Sequence, residues 1–310
     1  MKVVNARWII TEKEKEGGKI CKARLVARGF LEKNENNMEC EAPTCTNEGL
    51  KIVISTIKRN KWKVRSLDIK TAYLQGKVIE REVYLQPPIE AKTDKIWKLR
   101  KAVYGLKDAA RSWYDSLMAI LKTTGGRKST VDPTIMMWKE KDKLIGVMCV
   151  HVDDLCYGGN EEFNEKVINK IREKIKVGTE ENSVFKYIGI DITDKGKEGV
   201  IMSQENYVKG KIRIPAVTNG KINRYLNKWE QKDYRSGLGQ LNWLAQNTRP
   251  DLSYMVSYLG RNMEQATTKN FSELSRTMQK ARERGGQVHI GCLKEEVEIE
   301  ILCRRLFWKC

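Results

Sequence analysis

Histidine is almost absent from these 310 residues: His151 and His289 are the only two. Eight cysteines are present, yet none forms a C-x-x-C pair. A structural zinc site draws four nitrogen or sulfur ligands at short, regular spacings, and the chain offers no such pattern. The same scatter gives no disulfide framework, which favours a reducing compartment. Cys149 and Cys156 lie within an apolar run and read as small buried hydrophobes. No apolar run approaches the roughly 20 residues needed to span a bilayer. The opening "MKVVNARWIITEKEKEGG" lacks the long apolar segment of a secretory signal. Internal repeats and low-complexity segments are missing as well.

Acidic residues are also in short supply. Lys and Arg total 58 against 40 Asp and Glu, a net charge of +18. With 40% hydrophobic and 32% charged residues the composition is globular, and the length suffices for two or three subdomains. Such an excess of cations favours a polyanionic partner, of which nucleic acid is the commonest soluble kind. A basic surface without such a partner is the alternative that charge alone leaves open.

"WIITEKEKEGGKICKARLVARGF" reads as a β-hairpin around Gly17-Gly18 with a basic second arm. "NEGLKIVISTIKRNKW" spaces Leu50, Ile54 and Ile57 for a helix, with Asn47 as its N-cap. "VRSLDIKTAYL" reads as a strand running into a turn or helix, and "REVYLQPP" as a strand closed by two prolines. "KIWKLRKAVYGL" is strand-like. "ARSWYDSLMAILKTTGG" is a clear helix with Trp113, Leu117, Ile120 and Leu121 on one stripe and Gly125 past its end. "KLIGVMCVHVDDLCYGG" reads as a strand pair, and "EEFNEKVINKIREKIKVG" as a helix with Phe163, Val167, Ile171 and Ile175 in register. "FKYIGIDI" and "GVIMSQENYV" follow as two strands, then a helical "GLGQLNWLAQNTRPDLSYMVSYLGRNM". Strands and helices mix without a βαβα rhythm, so the expected class is α+β.

Within "VMCVHVDDLCYGG" two adjacent aspartates, Asp153 and Asp154, interrupt an apolar run. One reading is a turn, where aspartate is common. Against it, the flanks look too apolar for an exposed loop, and Gly158-Gly159 offers a better turn. Buried carboxylates cost several kcal/mol each unless a cation compensates. Mg²⁺ would do so, held by one or two carboxylates and by substrate phosphates. A third carboxylate, Asp68, closes another apolar strand, with Tyr73 five residues on. Two cations bridged by three carboxylates can activate a hydroxyl and stabilise departing pyrophosphate. In a basic chain that chemistry points to phosphoryl transfer on a nucleic acid.

Six stretches extend this reading: "KARLVARGF", "SLDIKTAYLQGKVIEREVYLQPP", "WKLRKAVYGLKDAARSWYDSL", "VHVDDL", "YIGIDI" and "GQLNWLAQNTRPDLSYMVSYLGR". In this order and spacing, over about residues 5 to 265, they resemble the reverse transcriptase of Ty1/copia-type LTR retrotransposons. The resemblance implies a right-hand polymerase palm with an antiparallel sheet, partial fingers and a helical thumb or connection region. It divides the chain into partial fingers at 1–60, palm with an interleaved fingers segment at 61–215, thumb or connection at 216–265, and a run-in to RNase H at 266–310.

The resemblance makes Asp68, Asp153 and Asp154 the catalytic, metal-holding carboxylates for two Mg²⁺ ions. Tyr73 matches the residue that stacks under the incoming sugar, although a core aromatic would read the same way. Lys22, Arg24 and Arg28 match the basic strand that grips the triphosphate; alternate strand positions face opposite ways, so the contacting residue stays open. Gly105 and Lys107 match the segment that positions the templating base and primer end. The implied partners are an RNA template, a DNA primer and dNTP, with other Pol and Gag products as associates. The implied setting is cytoplasmic, in retroelement particles if the element is active.

The chain departs from the family's usual "YGLKQAPR" at Asp108 and Ala110, which places a negative charge where template phosphates are expected. His151 stands where tyrosine is commoner before "VDD", and should pack beside the hairpin as a neutral imidazole. The chain begins almost at "ARWIITEK", and "CRRLFWKC" contains no acid, so a truncated, frameshifted fragment of a Pol polyprotein without RNase H activity is expected. That leaves a rival to polymerase activity: an inactive remnant that binds nucleic acid through its basic face.

Overall fold

β-Branched and aromatic runs broken by Gly, Pro and charged turns are the raw material of the sheets. The computed structural model describes residues 3–15, 18–32, 39–212 and 223–291. Its strands begin with β1 (Val3–Lys15), β2 (Gly18–Ala27), β3 (Arg65–Ile69), β4 (Tyr84–Gln86), β5 (Trp97–Lys98), β6 (Arg127–Lys128) and β7 (Ile135–Glu140). They continue with β8 (Lys143–His151), β9 (Asp154–Gly159), β10 (Val177–Asn182), β11 (Val184–Tyr187), β12 (Ile190–Asp194), β13 (Val200–Ser203) and β14 (Gln287–Ile290). Among the described residues they form three sheets, ordered β2-β1-β4-β5, β10-β3-β9-β8-β7-β6 and β11-β12-β13-β14. With the helices between them this is the expected mixed α+β architecture. Every neighbouring pair in the six-stranded sheet is antiparallel.

That central sheet is covered on both faces, which explains why β8 is apolar at nearly every position. Alternate residues point to opposite sides. Met148 and Val150 meet the helices Ala109–Thr123 and Asn169–Lys174 through Trp113, Leu117 and Ile171. Val147 and Cys149 meet the helix Asn47–Arg59 and the third sheet through Leu50, Ile54, Phe185 and Ile192. Cys149 and Cys156 are buried there as expected. A separate core joins the helices Lys228–Asn247 and Thr268–Arg284 through Tyr234, Leu241, Phe271 and Met278.

Several local expectations shift. Thr46, not Asn47, caps the first helix: its Oγ1 accepts from Gly49 N at 2.9 Å and donates to Asp132 at 2.9 Å. "FKYIGIDI" is a hairpin rather than one strand, turned at Ile188 and Gly189, both at positive φ. The long C-terminal helical run starts earlier, at Lys228 behind an Asn227–Glu230 capping box. It stops at Asn247, ahead of Pro250, and resumes as Ser253–Gly260. The β1–β2 hairpin forms as read, although Gly17 lies outside the described residues, as do 213–222 and the tail beyond 291.

Candidate active site

β3 and β9 are neighbours, and their register sets Asp68 directly opposite Asp154. β8 and β9 close through a tight turn at Val152 and Asp153, with His151 paired to Asp154. Asp153 therefore belongs to the turn itself, contrary to the expected turn at Gly158-Gly159. Those glycines sit in β9, paired with Val147 and Gly146. All three aspartates are half-buried rather than enclosed, so the desolvation penalty is smaller than the apolar flanks implied.

The turn is strained. Val152 has φ 59°, a conformation a β-branched residue adopts only when its surroundings force it. Two bonds do so: Trp113 Nε1 donates to Val152 O at 2.7 Å, and Ile69 N donates to Asp153 O at 2.8 Å. The second bond ties the turn to the strand that carries Asp68. Gly178, in the bulged strand β10, leaves room for the Asp68 carboxylate, because a Cβ there would run into Asp68 Oδ2. His151 packs beside this turn with its pKa lowered, chiefly by burial, so it is neutral near pH 7 as expected. Its Nδ1 is buried without a hydrogen-bond partner.

Tyr73, on the short helix Ala72–Gln75, meets Tyr104 edge to face with ring centroids 4.6 Å apart. The guanidinium of Arg24 lies 5.9 Å from the Tyr104 ring centre. Burial pushes both phenol pKa values up; next, Tyr104 and Asp153 raise that of Tyr73. At Tyr104, Asp153 raises it further while Arg24 pulls it down. The turn carboxylate, the ring pair and one cation thus form a single cluster. Tyr104 was missed as a site residue, although it stands in the quoted "YGLKDAAR" immediately before Gly105.

The three basic candidates do not converge. Lys22 is exposed, two positions from Arg24 along β2 and on the same side. Arg28 lies past the end of β2 and lines a different recess, with Arg7, Gln86 and Ile89. Gly105, at φ 90°, allows a backbone junction: Ala27 N donates to Tyr104 O at 2.8 Å and Gly29 N to Gly105 O at 3.1 Å. A Cβ on Gly105 would strike the Ala27 carbonyl. Lys107 Nζ donates to Glu32 O at 2.8 Å. Asp108 is not a bare negative charge. Arg81 grips it in a bidentate pair at 2.8 and 2.9 Å and reaches Glu32 at 2.8 Å through its remaining nitrogen. The bond from Arg81 is the main reason the Asp108 carboxyl titrates below its ordinary value.

As a metal site the constellation is partial. Among the described residues no three His, Cys, Asp or Glu side chains are gathered tightly enough to hold an ion by themselves. Mg²⁺ asks less of a protein: one or two carboxylates, with substrate phosphates and water completing six oxygen ligands. Apposed Asp68 and Asp154, with Asp153 adjacent, fit that share.

The family model described as "Reverse transcriptase (RNA-dependent DNA polymerase)" matches residues 1–224, and the chain belongs to that family. Its relatives are Ty1/copia-type Pol polyproteins of transposons. A "Retrovirus-related Pol polyprotein from transposon RE2" of Arabidopsis thaliana is 30% identical over 297 residues, covering 89% of this chain and 20% of the relative. The corresponding polyprotein from transposon TNT 1-94 of Nicotiana tabacum is 24% identical, covering 84% of this chain and 22% of the relative. The "Transposon Ty1-GR3 Gag-Pol polyprotein" of Saccharomyces cerevisiae is 24% identical over 84% of this chain and 16% of its own length. The chain thus spans about a fifth of the length of the curated relatives it matches. Among its described residues no helix is long and apolar enough to cross a membrane.

Proposed function

We propose that the chain is an RNA-directed DNA polymerase that extends a DNA primer on an RNA template by nucleotidyl transfer from dNTP. The observation that carries this reading is the cross-strand apposition of Asp68 and Asp154, with Asp153 near enough to Tyr73 and Tyr104 for its charge to raise both phenol pKa values. In this reading the six-stranded sheet is the palm, the β1–β2 hairpin belongs to the fingers, and the Lys228–Asn247 helix lies in the thumb or connection. Other Pol and Gag products would be its associates, in cytoplasmic particles.

Asp68, Asp153 and Asp154 would hold two Mg²⁺ ions. Bound there, the metal supplies charge neutralisation at the triphosphate and a lowered pKa for the attacking 3′-hydroxyl. The chain's own groups do the positioning. Tyr73, backed by Tyr104, offers a flat apolar shelf for the sugar, and its raised pKa keeps the phenol neutral. Arg24, beside that shelf and with Lys22 farther out, would receive the triphosphate. The strained turn, pinned by Trp113 and Ile69, fixes where Asp153 and Asp154 point.

The test is primer extension on an RNA template with Mg²⁺, set against Asp153→Asn. Template-dependent incorporation by the parent chain and none by the variant is the expected outcome; equal incorporation, or none by either, sinks the proposal. A second reading, nucleic-acid binding without polymerisation, draws on the incomplete gathering of the carboxylates. It expects RNA binding that weakens steeply with salt and no extension.

A further inference from the structure

Away from the carboxylates, at the other end of β3, a cavity of about 680 Å³ opens beneath the end of the helix Asn47–Arg59. Its cations include Arg59, Lys61, Lys63 and Lys197, and its aromatic wall is Trp62. Among the described residues its one acid is Asp194, which is already matched: Lys58 Nζ sits 2.6 Å away, with the two side chains 4% and 2% exposed. Asp194 also accepts from Val64 N and Gly196 N, both at 2.9 Å. The floor is therefore neutral and fixed, and the rim positive. Along β3 from Arg65 to Asp68 the chain runs about 10 Å, and the cavity shares no residue with the carboxylate cluster.

The rim is built at some conformational expense. Trp62 N donates to Ile57 O and Lys61 N to Lys58 O, both at 3.0 Å, a Schellman closure of the helix. The left-handed position in that motif is normally glycine, yet here it is Lys61, at φ 58°. The closure satisfies the helix's last carbonyls and sets Lys61, Trp62 and Lys63 in a row on the cavity.

We propose that this cavity is a second nucleic-acid site, taking single-stranded RNA with one base stacked on Trp62 and the flanking phosphates on Lys61 and Lys63. Cations alternating with an aromatic surface are the means by which single strands are held without sequence preference. A duplex keeps its bases stacked and could offer only its phosphates, so the indole selects for a single strand. The site is independent of polymerisation and could hold template that has not yet reached, or has already left, the carboxylates.

The test uses the full chain, its primary cleft saturated with a blunt RNA–DNA duplex, and a short thiouridine-containing single-stranded RNA. Photo-crosslinking followed by peptide mapping should place adducts on the peptide containing Trp62, whereas adducts confined to the Tyr73 or Tyr104 peptides would overturn the assignment. In fluorescence anisotropy, Lys61→Glu/Lys63→Glu should weaken this binding at least about tenfold and flatten its salt dependence by more than one unit of slope. Trp62→Leu should also weaken it about tenfold while Trp62→Phe restores most of it, as loss of one stacked base implies. Unchanged affinity in variants whose melting temperature matches the parent overturns the proposal. So does equal displacement by polyglutamate, which would make the cavity a receptor for acidic peptide. Extension on a primer–template whose overhang is only a few nucleotides should be unaltered in the charge-reversed variant; its loss would tie these lysines to the primary cleft instead.

Discussion

Asp68 and Asp154 stand directly across from one another on neighbouring antiparallel strands. Like charges at such a pair repel, by roughly 0.2–1 kcal/mol, and a bound divalent cation reverses the sign of the interaction. Asp154→Asn removes one of the two charges that such a cation would bridge. Mg²⁺ should stabilise the parent chain measurably and the variant much less. Extension by the variant should fall at least about 100-fold. A thermal-shift titration decides: equal stabilisation of both chains by Mg²⁺ would show that the ion is not held at this pair.

Gly178→Ala is a sharper probe, since it removes no chemical group. The added methyl would press on the Asp68 carboxylate from β10. Gly178 is exposed, so little packing is at stake. Misplacing a reacting group by about 1 Å can cost about 100-fold in rate, and a 10- to 100-fold fall in kcat is expected with melting temperature nearly unchanged. Parent-like kinetics would mean that Asp68 has another rotamer open to it.

These two predictions differ in how far the chain itself announced them. The three aspartates were legible because short apolar runs and their order identify β3 and the β8–β9 hairpin. The turn was misplaced because Gly-Gly outranks Val-Asp in local propensity, while tertiary bonds from Trp113 and Ile69 hold Val152 at its positive φ. Gly178 carried no signal, since it closes a stretch that reads as a helix, where a glycine marks only the end, whereas it lies in β10. Long-range charge pairing was equally hidden. Asp108 looked like an added repulsion until Arg81, from a separate segment, proved to grip it. Lys58 and Asp194 likewise meet only through the packing of a helix end on β12.

Arg81 is 22% exposed and joins Glu32 to Asp108. Arg81→Ala leaves two half-buried carboxylates close together without their cation, and should destabilise the chain by about 1–3 kcal/mol. The pH dependence has a definite sign. The Asp108 carboxyl is lowered in the folded state, first by the bond from Arg81. Its stabilisation is complete above the ordinary value of about 3.9 and is lost as pH falls through the lowered one. Urea melts between pH 3 and pH 6 should therefore show a stability difference between parent and Arg81→Ala that narrows toward the acid end. A difference that widens on acidification would refute the ion-pair reading.

Tyr73 separates a shelf from a mere core aromatic. Its ring is held edge-on by Tyr104 and lies close enough to Asp153 for that charge to raise its pKa. If the ring meets the sugar, its bulk and not its hydroxyl excludes a 2′-hydroxyl. Tyr73→Phe should then keep the parent preference for dNTP over rNTP. Tyr73→Ala should admit rNTP, with the ratio of kcat/KM values moving about 10- to 100-fold, the scale of discrimination by shape alone. A purely structural tyrosine predicts something else: Tyr73→Ala would lower both kcat/KM values together, in step with a lowered melting temperature, and leave their ratio where it was.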